Sequence, residues 1–104
     1  MNLLDYGTPF SATATHATAA VATVTAGDNK THIITDVIAS SDKAGAIMLV
    51  KQGTTVVLQV QVGASDFSHH FQTPIKGAKG ALVSVEIDGT SACKANICGV
   101  TIDS

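Results

Sequence analysis

Residues 54–62 read Thr-Thr-Val-Val-Leu-Gln-Val-Gln-Val. On an extended chain, Val56, Leu58, Val60 and Val62 share one face, while Thr55, Val57, Gln59 and Gln61 take the other, because successive side chains point to opposite sides. Apolar residues alternating with mostly polar ones are the mark of a strand with one face in a core and one in solvent. Residues 81–87, Ala-Leu-Val-Ser-Val-Glu-Ile, repeat the pattern, with Ala81, Val83, Val85 and Ile87 aligned.

The same alphabet extends outward in both directions. Residues 30–39 (KTHIITDVIA), Gly45 to Lys51, and 67–73 (FSHHFQT) are short runs rich in β-branched or aromatic residues, which favour strands. Residues 91–102 (SACKANICGVTI) form a last strand, and Phe67, His69 and Phe71 share a face of their own. Residues 15–26, THATAAVATVTA, are Ala-rich, but Thr and Val between Thr18 and Thr25 with no Leu, Glu, Lys or Gln favour a first strand over a helix. Breaks fall at Ala26–Asn29, Ser40–Lys43, Gln52-Gly53, Gly63–Asp66, Lys76–Gly80 and Asp88-Gly89, with Pro74 and Gly77 expected to impose a turn. Breaks spaced roughly 8–15 residues apart predict a compact all-β, antiparallel β-sandwich or jelly roll of about seven to eight short strands. Residues 1–14, where Tyr6 and Phe10 flank Gly7 and Pro9, read as an irregular N-terminal arm ahead of a sandwich domain at 15–104. Tyr6, Pro9 and Phe10 are the candidate contacts to a neighbouring subunit or a larger surface.

Composition narrows function. The chain has 104 residues, enough for one core. Hydrophobic types are 45% and charged types 13%, about half of the roughly 25% charge of an average domain. A surface so neutral suits permanent contact with other subunits, because few charges must be desolvated, and it also suits a rugged extracellular or particle-exposed module whose surface is merely neutral. The formal charge is −2, there is no Arg, and Lys30, Lys43, Lys51, Lys76, Lys79 and Lys94 are scattered, so nucleic acid is not expected. No apolar run is long enough to span a membrane as a helix. Met1 with no basic-then-apolar leader suggests a cytoplasmically made product.

Sites for chemistry are sparse. His16, His32, His69 and His70 include an Asp66-x-x-His69-His70 run, but adjacent histidines on a strand face opposite ways. A small metal-dependent barrel enzyme would need His16, His32 and His69 to converge. No G-x-S-x-G elbow occurs. Glu86 and Asp88 share a strand face and mimic an acid/base pair at a turn, and Gly77 and Gly80 lack the helix of a phosphate loop. Cys93 and Cys98 are five apart and face opposite ways on an unbroken strand, which favours two reduced thiols, with a disulfide or metal ligation as alternatives. Catalytic residues, metal and cofactor are therefore all expected to be absent. A glycan-binding module is the main alternative to a structural role, and Tyr6, Phe10, Phe67 and Phe71 are the aromatics it would use.

Four segments carry a resemblance: HIITDVIASSDKAG (32–45), IMLVKQGTTVV (47–57), FQTPIKGAKGALVSVEIDG (71–89) and ACKANICGVTID (92–103). With the arm before the first strand, they resemble the jelly-roll or β-sandwich decoration (cement) and head-associated proteins of tailed bacteriophages. The match is one of pattern. It implies a non-enzymatic virion protein on the outer capsid surface, bound to the major capsid protein, homo-oligomeric and commonly trimeric. It also implies that residues 1–14 grip the capsid and that deleting residues 2–13 leaves a folded domain.

Overall fold

The computed structural model describes residues 7–16, 18–25 and 29–103. All regular structure among them is strand: β1 (Thr8–His16), β2 (Ala19–Val24), β3 (Lys30–Ser41), β4 (Ile47–Gln52), β5 (Thr55–Gln61), β6 (Asp66–Lys76), β7 (Val83–Asp88) and β8 (Cys93–Asp103). They form two four-stranded sheets, in the orders β1-β8-β3-β6 and β2-β7-β4-β5, with every pairing antiparallel.

The order has a simple logic. β4 pairs β5, β3 pairs β6, β2 pairs β7 and β1 pairs β8, which are the nested rungs of one long hairpin. Two further pairings, β3 with β8 and β4 with β7, roll that hairpin into two layers. This is the jelly-roll arrangement, in which double-sheet packing covers one face of each sheet. At the hairpin tip, Gln52 pairs Thr55 and Gly53 takes φ +59°, the glycine-favoured first position of a tight two-residue turn.

Inner faces meet in an aliphatic core. Ile34, Val37 and Ala39 of β3 and Ala95 and Ile97 of β8 are fully buried, as are Met48 and Val50 of β4 and Val83 and Val85 of β7. Ala20 and Ala22 keep β2 close to this core, while Leu58, Val60, Phe67 and Ile75 pack on its margin. Each fully buried Val, Ile or Met contributes about 1.5–3 kcal/mol over leaving it exposed.

Two irregularities set which residues reach the core. On β3, Ile34 pairs Gly99 and Asp36 pairs Cys98, so Thr35 is an extra residue. The bulge resets the alternation, which lets Ile34 and Val37, three apart, both be fully buried. Opposite the same point, β6 jumps from Ile75 to His70, leaving 71–74 outside the ladder. Pro74 therefore sits where no ladder donor is required, on an edge strand, and β6 runs on to Lys76 rather than turning at Pro74 as expected.

Several sequence expectations are corrected. Residues 8–14, expected to be irregular arm, are strand: β1 pairs residue for residue with β8 from Thr8↔Thr101 to His16↔Cys93. The Gly7–Pro9 signal misled because Pro is tolerated on an edge strand, and β1 is an edge. Residues 15–26 are not one strand. β1 ends at His16, whose Nδ1 accepts hydrogen bonds from the Thr18 and Ala19 amides (3.1 and 3.2 Å), and β2 begins at Ala19 in the other sheet. Deleting residues 2–13 would therefore remove two thirds of an integral strand. Tyr6 lies outside the described residues.

Candidate docking face

The outer face of the β2-β7-β4-β5 sheet combines apolar exposure with balanced charge. Its central row runs Val21, Glu86, Leu49, Gln59 across the four strands. The row beside it is Thr23, Ser84, Lys51, Val56, and Ala19, Asp88 and Ile47 lie on the other side. Val21 is 46% exposed, Val56 43% and Ile47 39%, high values for large aliphatics. Between β2, β4, β5 and β7 the face dips into a shallow groove of ≈ 340 Å³ lined by Ala19, Ile47, Leu49, Val56, Gln59 and Glu86, among others.

Val56 reaches this face through a bulge. Val50 pairs Leu58 and Lys51 pairs Val56, so Val57 is the extra residue. Leu58 and Val60 keep the inward direction expected from the sequence, but Val56 is turned outward beside Lys51. The expectation that Val56 faces the core with Leu58, Val60 and Val62 is corrected on that ground.

The charges on this face are neutralised in pairs. Lys51 Nζ contacts Glu86 Oε1, and Lys43 Nζ donates to Asp88 Oδ2 at 2.6 Å. The Lys43 hydrogen bond, against a smaller opposing effect of burial and with help from the Ile47 amide, holds the Asp88 carboxyl below its ordinary range. Exposed pairs of this kind contribute about 0–1 kcal/mol. Their larger consequence is that a partner covering the face would not strand a lone charge. Glu86 and Asp88 do share a face, as expected, but each carboxylate is held by its own lysine, which is not the arrangement of an acid/base pair.

The outer face of the other sheet differs. Ser11, Thr13 and Thr15 of β1, Lys94 and Asn96 of β8, and Ser68 and His70 of β6 give it a polar surface, with Ile38 as its exposed large aliphatic. His70 Nδ1 and Asp36 Oδ1 are 2.7 Å apart. Burial raises the Asp36 carboxyl, but hydrogen bonds with His70 and Thr35 outweigh it and leave the group lowered. Cys98 lies beside Asp36, and burial, then the nearby carboxylate, pushes its thiol up, which disfavours the nucleophilic thiolate. Cys93 is buried on the inner face, donating to the His16 carbonyl at 3.2 Å. The two cysteines are free and face opposite sides of β8.

The remaining candidates are dispersed. His16 pairs Cys93 at one end of β8, and His32 pairs Thr101 at the other, about 27 Å along the strand at ~3.4 Å per residue. His32 is buried, bonded through Nδ1 to Thr101 Oγ1 (2.7 Å) and through Nε2 to the Thr25 carbonyl (2.8 Å). His69 is exposed, flanked by Phe67 and Phe71 in one aromatic row. Among the described residues no three of His, Cys, Asp and Glu come together at metal-holding distance. Phe71 is buried and Phe67 and Phe10 pack on the core, so these rings do not form the exposed platform a glycan site would use. Phe10 also meets the His32 ring edge-on at 5.1 Å, whereas Pro9 is exposed on the β1 edge. Ile47, Leu49 and Val56 of the groove, and Val21 on the same face, were not singled out by sequence, because a bulge and the pairing of four strands bring them together.

No protein-family model matches the chain, and no curated protein matches it. Solved structures of similar shape include the insecticidal delta-endotoxin Cry8Ea1 of Bacillus thuringiensis, with TM-score 0.47 and 11% identity over 91% of this chain and 20% of that one. A virus-like particle of the extra small virus of the giant freshwater prawn Macrobrachium rosenbergii gives 0.38 and 12% over 88% and 77%. Infectious bursal disease virus gives 0.36 and 16% over 93% and 30%. The chain thus spans about a fifth of the endotoxin and under a third of the bursal disease virus protein.

Proposed function

We propose that this protein is a structural component of a virus particle, a non-enzymatic decoration (cement) protein that binds the outer surface of a tailed-phage head through the β2-β7-β4-β5 face. The observation that carries the reading is that face: exposed Val21, Ile47 and Val56 beside ion pairs that need no outside partner. The jelly roll is used by capsid and lectin domains and by cupins alike, so the fold alone does not choose among them. What favours the structural role is that both inner faces are spent on an aliphatic core and that charge is only 13% of the sequence. The resemblance to head decoration proteins points the same way and supplies the partner, the major capsid protein. Tyr6 and Pro9 remain candidate secondary contacts. Many copies with modest contacts hold firmly only when the lattice presents them together.

The test is addition of the purified protein to expanded phage heads that lack it, followed by co-sedimentation and counting of bound copies. Saturation at a fixed number that matches the shell lattice is expected. Folded protein that leaves the heads bare would overturn the reading.

A further inference from the structure

The two lateral edges of the sandwich are built differently. β5 and β6 form one of them, and both are irregular: Val57 bulges from β5, 71–74 leave the ladder of β6, and β6 carries Asp66, Pro74 and Lys76. Bulges, prolines and charges are the devices that keep an edge strand from adding another strand. β1 and β2 form the opposite edge, lying against one another across the two layers. Both follow their neighbours with no register shift, over nine and six residues. No Asp, Glu, Lys or Arg occurs anywhere between Asp5 and Asp28. Among the described residues nothing pairs with the outer side of either strand.

We propose that the β1/β2 edge is a self-association surface, where β1 of one copy pairs antiparallel with β1 of a second copy. A two-fold axis normal to the sheets would set β1 against β1 and β2 against β2 together, and such an interface is self-complementary by symmetry. A charged edge would oppose like charges across that axis, and this one has none to oppose. Pro9 lies near the start of β1, so an overlap centred on Ala12 keeps it away from the middle of the new ladder and sets Ser11 opposite Thr13 of the second copy. A second copy fits better than a charged peptide, because the edge offers backbone groups and small neutral side chains with no ion partner. The product is a two-fold pair, in contrast to the trimer that the resemblance implies. The inference stands apart from the capsid reading and is tested on the isolated protein.

Sedimentation of the full chain from micromolar to millimolar concentration is the experiment, with S11K/T13K as the variant. Both positions are exposed, so at concentrations too low for association the variant should melt as the parent does. A parent that dimerises, with the variant's dissociation constant raised at least about tenfold by like charges meeting across the axis, is the expected result. S68K, on the exposed part of β6, should leave association unchanged. Amide exchange within β1 of the parent should slow as concentration rises, a readout that needs no variant. A parent that is monomeric or trimeric, association indifferent to S11K/T13K, equal weakening by S68K, or β1 exchange independent of concentration would each overturn the proposal.

Discussion

Gly99→Ala should be among the most damaging single-methyl additions to this protein. Gly99 lies in the middle of β8, paired on one side with Phe10 of β1 and on the other with Ile34 of β3. A Cβ built there overlaps the Ile33 carbonyl oxygen outright and lies 2.7 Å from Phe10 Cζ and 3.0 Å from the Ile33 carbonyl carbon. The ring could swing aside. The carbonyl belongs to β3 at the edge of the Thr35 bulge, and moving it disturbs the pairings on both sides of β3. Overpacking of this kind costs about 1–3 kcal/mol, and a backbone obstacle puts the expected loss near the top of that range. Taking ~3 kcal/mol and a shift of ~4–8 °C per kcal/mol for a domain of this size, the melting temperature falls by about 12–24 °C. Urea unfolding followed by circular dichroism reads the loss as a lower midpoint at unchanged slope. A loss under about 0.5 kcal/mol, the range of an ordinary surface change, would refute the placement of β8 between β1 and the bulged β3.

Other outcomes follow from the same geometry. Val56→Lys should leave stability within about 0.5 kcal/mol of the parent, because the β5 bulge turns Val56 outward, whereas Leu58→Lys should cost several kcal/mol by pushing a charge against the core. Equal losses in thermal melts would mean that the bulge is absent. Acid should loosen the end of the sandwich that carries Asp42 and Asp88. Asp42 accepts hydrogen bonds from the Ser91 hydroxyl and the amides of Thr90, Ser91 and Ala92, which hold its carboxyl far below the ordinary range. With Asp36 and Asp88 also lowered, these groups bind more protons unfolded than folded below about pH 4. Their stabilisation is therefore full above the unfolded pKa and is lost as pH falls toward the folded values. Asp42→Asn should flatten that acid limb in urea midpoints measured from neutral pH downward, and a limb unchanged by the substitution would remove Asp42 from the explanation.

Much of the architecture was legible because its strands obey a period of two. Val83, Val85 and Ile87 are all buried, as the alternation in residues 81–87 requires. The breaks at Gly53 and Asp88-Gly89 mark real ends of strands. What stayed hidden depends on pairing. Thr35 and Val57 look like ordinary strand residues, and they are bulges only because the partner strand has one residue fewer at that point. Either one reverses the facing of everything beyond it. That is why Ile34 and Val37 both turn inward and why Val56 does not. β1 was hidden for a different reason: Gly7 and Pro9 at its start read as an arm, and Ala12 and Ala14, too small to give a marked apolar alternation, gain their place by packing on the core beside β8. The docking face was the least legible feature, since Val21 joins Leu49 only through the order β2-β7-β4-β5, and Val56, close to Leu49 in sequence, shares its face only through the β5 bulge.

The central claim is that this face is covered on the particle. Hydroxyl-radical footprinting of the protein, free and bound to heads, measures that cover directly. Val21, Ile47, Leu49 and Val56 should lose most of their labelling on binding, while Ile38, exposed on the opposite sheet, keeps its own. Labelling of the four that is as strong on the particle as in solution would contradict the claim.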